Sequence, residues 1–450
     1  MLVAALVLPF FPMEQSRGVS RDLFASSVVG IGDVDDDGLD DVATVVCSWG
    51  AEYGNEHEPG PGVAAYSGLD GRVLWTGAVG LHVQRFCKRS LRSVGDVDRD
   101  GREDLAFLGL RRDPCDDGLY PNFELEIALL SGRDGSILCS WPLDSGLLTP
   151  VEAEFACVGD IDGDAIDDLA VVATSQRTRS AVWIQSCRTG EIVRWLDRDP
   201  DWWTTSEWIE SPGDFDGDGC ADIAVLGRAR DPAPSEYSGL QKTSVLIRSS
   251  QDGRRLLAIE SDRNWLVSGC CGVGDVNGDG HPDLAVAGFG RILTPWKDSG
   301  AEGWWEARIH SGADGRLLRA IHGLLTDIKE GDVTTPGDID GDGMADLLLG
   351  EVKLSPRGLG GSVRLHSARD GSLLRESENP PWDDGDVSEY FGYTLAAAGD
   401  VDADGVPDWI VGQCCPWGDS RSRMVIVSGQ DGRAIHVIDR RSLDRTPTSR

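Results

Sequence analysis

The sequence predicts an all-β fold, a seven-bladed β-propeller with four antiparallel strands per blade, on three observations. An aspartate-rich phrase returns seven times. Its leading residues are Asp33, Asp96, Asp160, Asp214, Asp275, Asp338 and Asp400, at steps of 63, 64, 54, 61, 63 and 62. A second phrase, a turn ending in Gly between two apolar runs, accompanies every copy. It reads YSGLDGRVLW from Tyr66 and IVSGQDGRAIHVI from Ile426. Finally, 57 Gly among 450 residues, with apolar runs of strand length and no helical period, indicate many turns between short strands. A long internal period built from such units is the mark of radial repetition.

In chain order, residues 1–21 come first. Residues 1–13, MLVAALVLPFFPM, form an apolar run broken by Pro9 and Pro12. It reads either as the remnant of a secretion signal or as a strand that helps close the ring. Residues 22–440 hold the seven repeats, and residues 441–450 form a C-terminal tail. Each repeat runs apolar segment, aspartate phrase, apolar segment, connection, apolar segment, Gly turn, apolar segment. That order gives four strands and two tight turns. A closed ring of such blades protects strand edges that would otherwise pair with other chains. The last repeat already carries its own fourth strand, 434–439, so residues 2–11 are the candidates for an added strand at the seam.

The chain carries 42 basic and 76 acidic side chains, a formal charge of −34, which excludes a surface built for nucleic acid or anionic lipid. It has no 18-residue apolar run that would form a membrane-spanning helix. A hydrophobic content of 40% with 15 Trp is enough for a real core. The 11 Cys are scattered, with adjacent pairs at Cys270-Cys271 and Cys414-Cys415. No double CxxC supports a zinc site, and most are expected as small buried thiols.

Counted from its first Asp, each aspartate phrase presents acids at positions 1, 3, 5 and 9. These are Asp33, Asp35, Asp37, Asp41; Asp96, Asp98, Asp100, Asp104; Asp160, Asp162, Asp164, Asp168; and Asp214, Asp216, Asp218, Asp222. The last three sets are Asp275, Asn277, Asp279, Asp283; Asp338, Asp340, Asp342, Asp346; and Asp400, Asp402, Asp404, Asp408. Alternating carboxylates in a tight turn converge on one centre, and a hard cation with six to eight oxygen ligands is the expected guest, calcium before magnesium. A helix–loop–helix site needs an acid at position 12, but here position 12 is apolar or Thr and leads into a strand. Position 2 is apolar in every copy, which anchors the turn in the core. Up to seven structural Ca2+ would bring the net charge from −34 to about −20. The third loop is expected to be the weakest, because Ala165 stands where the others have Gly at position 6.

These residues resemble the FG-GAP (VCBS) repeat proteins, among them the propellers of integrin α-subunits. The fullest copy is EYFGYTLAAAGDVDADGVPDWIVGQ, residues 389–413, where Phe391-Gly392 matches the "FG" and Gly412-Gln413-Cys414 departs from the "GAP". Other copies keep the loop and lose the FG. The resemblance covers residues 22–440 and implies a calcium-bound propeller outside the cytoplasm, used for adhesion or ligand binding. In integrins the calcium loops lie on one face and ligands on the other.

The face opposite the loops would carry the connections after the second and fourth strands. Trp202, Trp203, Trp296, Trp304, Trp305 and Trp382 lie in or beside them and are the candidates for stacking on a sugar or protein ligand. Seven dispersed His and the absence of GxSxG, HExxH or a phosphate-cradling Gly loop give catalysis little support. The expected function is therefore non-catalytic: an extracytoplasmic, calcium-stabilised binding or adhesion propeller for a protein or glycan. The alternative is a propeller-fold polysaccharide lyase or hydrolase that uses a carboxylate-lined pocket.

Overall fold

The computed structural model describes residues 21–445 except 23, 47, 50–61, 84–88, 113–122, 144–151, 175–179, 197–201, 230–242, 262–264, 292–302, 323–331, 356–357, 382–389 and 415–421. Residues 2–11, the candidate seam strand, lie outside that range, as do Trp296 and Trp382. The described residues form a seven-bladed propeller. Each blade is one antiparallel sheet whose strands run in chain order from the axis outward.

Blade 1 holds Val28–Gly32, Asp41–Val45, Val63–Tyr66 and Val73–Gly77; blade 2 holds Leu91–Ser93, Leu105–Arg112, Phe123–Leu130 and Ile137–Pro142. In blade 2 the short strand His82–Val83 also pairs with Leu105–Arg112. Blade 3 holds Glu152–Gly159, Asp168–Thr174, Ala181–Gln185 and Ile192–Leu196; blade 4 holds Trp202–Gly213, Asp222–Ala229, Thr243–Arg248 and Arg255–Glu260. Blade 5 holds Trp265–Gly274, Asp283–Arg291, Gly303–His310 and Leu317–His322; blade 6 holds Val333–Gly337, Asp346–Ser355, Gly358–His366 and Leu373–Glu378. Blade 7 holds Phe391–Gly399, Asp408–Gln413, Arg423–Val427 and Ala434–Asp439. Among the described residues the only helix is the 3-10 turn Arg440–Arg445, so the tail begins helically, and no helix is long and apolar enough to cross a membrane.

Strand alternation explains the core. In the second strand of blade 2, Leu105 and Phe107 pack toward blade 1, while Ala106 and Leu108 pack toward blade 3. The result is seven apolar clusters, one at each blade interface. The cluster at the seam joins Ile410, Met424, Ile426 and Ile438 of blade 7 to Val42, Tyr66 and Phe24. Blade 7 is complete with its own fourth strand, and among the described residues blades 7 and 1 share no sheet and meet through this packing. Two polar contacts reinforce the seam: Asp400 N–H donates to Asp40 at 2.8 Å, and His436 meets the Gly68 carbonyl at 2.7 Å.

The position-2 residues do anchor the turns. Val34, Ile161, Phe215, Ile339 and Val401 are each less than a tenth exposed and sit in the inter-blade clusters. The loops also need left-handed backbone twice, at positions 4 and 6, where Gly has no steric cost. Ala165 takes that conformation as a non-Gly residue, with φ 66°, and still donates its N–H to Asp160 Oδ2 at 2.8 Å. The third loop thus keeps the common shape under strain. Ala165→Gly is expected to stabilise the metal-free protein by about 0.5–1 kcal/mol, read as a higher urea midpoint with unchanged slope.

Candidate metal-binding face and axial charge cluster

Two turns per blade, the aspartate loop and the Gly hairpin, lie at the same end of every sheet, so all fourteen share one face of the ring. In each loop the leading Asp wraps the backbone around itself. In blade 1, Asp33 accepts the N–H groups of Asp37 at 3.0 Å and Gly38 at 2.9 Å. The position-5 Asp accepts the N–H of position 7, as Asp404 does from Val406 at 2.8 Å. These bonds turn the carboxylates inward. In blades 1, 2, 3, 4 and 6 one oxygen from each of three aspartates lies within 4.8 Å of the others.

Position 9 has a second role that its sequence pattern does not reveal. Asp41, Asp104, Asp168, Asp222, Asp283, Asp346 and Asp408 are all fully buried. One oxygen of each accepts the position-2 N–H, from Val34 at 2.9 Å in blade 1 and from Val401 at 2.8 Å in blade 7. The other reaches the hairpin, accepting from Gly68 at 2.9 Å, Gly132 at 3.0 Å, Gly312 at 2.9 Å and Gly429 at 2.8 Å. Those four glycines touch the loop so closely that a Cβ would overlap a backbone carbonyl, at 1.8 Å for Gly312 against Pro282. Blades 3, 4 and 6 carry Cys187, Ser250 and Ala368 there. In them the bond stretches to 3.3 Å at Ser250, and Asp168 Oδ1 and Asp346 Oδ1 are left without a partner.

Several of these acidic clusters could hold a metal ion. Burial, and behind it the neighbouring carboxylates, pushes Asp41, Asp168, Asp222 and Asp346 up to about 6, and Asp408 up to about 7. Asp35 Oδ1 is also buried without a partner. A converging set of hard oxygen acceptors, some of them buried without a partner, fits an oxygen-seeking divalent cation.

A second constellation lies on the axis, where the first strands meet. Four residues before the leading Asp stand Val29, Arg92, Ala156, Glu210, Cys271, Thr334 and Ala396, and of these only Arg92 and Glu210 are charged. Arg92 of blade 2 grips Glu210 of blade 4 with both nitrogens, at 3.0 and 3.2 Å. Arg89 also pairs with Glu210 and reaches blade 6, bonding Asp332 Oδ1 at 2.9 Å. Asp332 Oδ2 in turn accepts the Leu395 N–H of blade 7 at 3.0 Å. Glu154 of blade 3 completes the cluster, with Oε2 buried and unpartnered. Burial pushes its carboxyl up to about 7, against the pull of Arg89 and Arg92. The adjacent Cys271 thiol is pushed up to about 12 by burial, which makes it a poor nucleophile.

The raised Glu154 has a signed consequence. The native state keeps this proton to about pH 7, whereas the unfolded chain releases it near 4.5, so its contribution to stability falls as pH rises between those values. Glu154→Gln is expected to flatten the decline of stability from pH 5 to pH 8, checked by urea unfolding across that range.

Of the six tryptophan candidates, only Trp305 has a described side chain. Trp305 is 1% exposed and fills the cluster between blades 5 and 6, so it serves the core. Trp202 and Trp203 begin the first strand of blade 4, and Trp304 lies in the third strand of blade 5. Of the described cysteines, Cys187, Cys270 and Cys414 are buried as expected, whereas Cys139, Cys157, Cys220 and Cys271 are only half-buried.

The fold and this face define a propeller with a repeated acidic loop in every blade. No family model matches the chain. It is 24% identical over 230 residues to an integrin alpha pat-2 from Caenorhabditis briggsae, which takes in 46% of this chain and 17% of that protein. Among solved structures, an exotype rhamnogalacturonan lyase matches at 16% identity with TM-score 0.42, covering 93% of this chain and 65% of its own. A puromycin hydrolase matches at 12% identity with TM-score 0.49, covering 94% of this chain and 55% of its own. These structural likenesses do not bear on the chemistry of this chain.

Proposed function

We propose that the chain is a calcium-stapled binding propeller that works outside the cytoplasm and presents a protein or glycan ligand site on the face opposite the aspartate loops. The observation that carries this is the sevenfold loop, in which the backbone wraps the acids inward and the position-9 carboxyl is buried among them. Asp or Asn at positions 1, 3 and 5, with Asp at position 9, would hold the ion, which supplies positive charge at the centre on which the acids converge. Loops of this kind suit compartments where calcium is abundant. The partial similarity to an integrin α-subunit favours the same setting. Thermal unfolding of chelator-stripped protein tests the reading. A rise of several degrees in Tm with millimolar Ca2+, and little with Mg2+, is expected from binding to the folded form alone. No calcium-dependent rise would remove the metal from the account.

One observation favours a second reading, a polysaccharide lyase or hydrolase. Glu154 has a buried oxygen without a hydrogen-bond partner, a carboxyl pushed up to about 7, and the positive charge of Arg89 and Arg92 acting on it. Turnover of an anionic polysaccharide that is lost in Glu154→Gln, with the fold intact, would move the function to this class.

A further inference from the structure

Every hairpin on the loop face carries one arginine, at one of two places. It follows the turn Gly in blades 1, 4, 5 and 7 (Arg72, Arg254, Arg316, Arg433) and precedes it by two residues in blades 2, 3 and 6 (Arg133, Arg188, Arg369). In four blades that arginine enters the aspartate loop. Arg72 Nη2 lies 2.6 Å from Asp35 and Arg254 Nη2 2.8 Å from Asp216, both position-3 acids. Arg188 Nε lies 2.6 Å from Asp164 and Arg369 Nε 3.4 Å from Asp342, both position-5 acids. The place of the arginine in the hairpin therefore decides which acid it meets.

Two other arginines stay on their own turns: Arg316 pairs with Asp314 at 3.8 Å and Arg433 with Asp431 at 3.5 Å. Blade 5 has a reason, since Asn277 at position 3 offers no charge and instead donates to Asp279 at 2.9 Å. Arg72 and Arg254 hold both kinds of partner at once, with Nε 3.6 Å from Asp70 and 3.4 Å from Asp252. A small rotation would release the loop acid and keep the turn acid.

We propose that Arg72, Arg188, Arg254 and Arg369 are built-in counter-ions that compete with the divalent cation. They would divide the seven loops into four guarded sites (blades 1, 3, 4 and 6) and three unguarded ones. This rests on the calcium reading above. Each guanidinium neutralises a loop acid in the absence of metal and must leave before the ion enters, so the guarded loops fill at higher free calcium. The loop acids are 10–22% exposed, whereas the arginines are about half exposed. Partly exposed pairs of this sort shift affinity by up to about fivefold.

Calcium titration of the chelator-stripped full chain, followed by native mass spectrometry and calorimetry, is the test. In Arg72→Gln/Arg188→Gln/Arg254→Gln/Arg369→Gln, four equivalents should bind at about fivefold lower free calcium than in the wild type. Arg133→Gln/Arg316→Gln/Arg433→Gln should leave the binding curve unchanged. Arg254→Gln alone should shift one equivalent, which keeps the test decisive if the fourfold variant folds poorly. Superimposable calcium curves for wild type and the guarded-loop variants would overturn the arginine role while leaving the calcium reading standing. Absence of calcium binding in every protein would overturn both.

Discussion

Asp408→Ala is expected to cost about 3–5 kcal/mol even with all divalent metal removed, far more than loss of a surface acid. Asp408 is fully buried and accepts two backbone N–H groups at 2.8 Å, one from its own loop at Val401 and one from the hairpin at Gly429. Truncation leaves both donors buried and unpaired and uncouples the two turns that hold the end of blade 7. Asp408→Asn keeps one acceptor and should lose about half as much. The informative comparison is Asp404→Ala in the same loop, since Asp404 bonds the Val406 N–H and is only half-buried. That change should cost less than about 1 kcal/mol in chelator, yet remove one bound cation in calcium buffer. Urea unfolding of both variants, with and without Ca2+, separates the roles. Equal losses in chelator would mean that position 9 is a ligand and nothing more.

Arg89→Met should destabilise the ring by about 3–5 kcal/mol at neutral pH, with a strong pH dependence of its own. Arg89 is 15% exposed at the side chain and joins blade 2 to Glu210 of blade 4 and Asp332 of blade 6. Methionine fills similar volume but leaves Asp332 uncompensated and Glu210 held by Arg92 alone. In the variant Glu154 loses the pull of Arg89, so its carboxyl is pushed further up and the native state holds this proton to higher pH than the unfolded chain does. Native proton uptake of this sign makes stability higher at low pH, so the deficit should shrink between pH 7.5 and pH 5.5. Denaturant midpoints at those two values provide the check. A deficit that is constant with pH would mean that Arg89 contributes packing rather than charge.

The two predictions come from opposite ends of what a single sequence discloses. Asp408 was visible as one of seven equivalent residues, because repetition turns a single acid into a column of identical ones. Its second partner was not visible, since Gly429 lies 21 residues away and meets it only when the third strand folds back beside the second. The hairpin glycines show the same division. Gly432 belongs to a recognisable turn, with φ 75°. Gly429 looks like ordinary loop composition until the Pro407 carbonyl is seen 2.0 Å from where its Cβ would be.

The axial cluster was legible only in hindsight. Arg92 and Glu210 break a register that is otherwise uncharged, and aligning the repeats four residues before the leading Asp exposes them. Nothing along the chain says that Arg89 would meet Asp332, 243 residues on. Trp305 went the other way. Its place in a Trp-rich stretch made it a surface candidate, but strand alternation turned it inward between blades 5 and 6.

By itself the sequence determined the number of blades, the four-strand unit, the aspartate loops and the apolar anchor at position 2. Those features are local and repeated, and turn chemistry and strand period act over a few residues wherever they occur. Tertiary structure alone decided how the ring closes, which side chains meet at the axis, and which loop acids an arginine already neutralises. Such contacts join residues that are remote in the chain, and they exist only once seven blades have packed around a common centre.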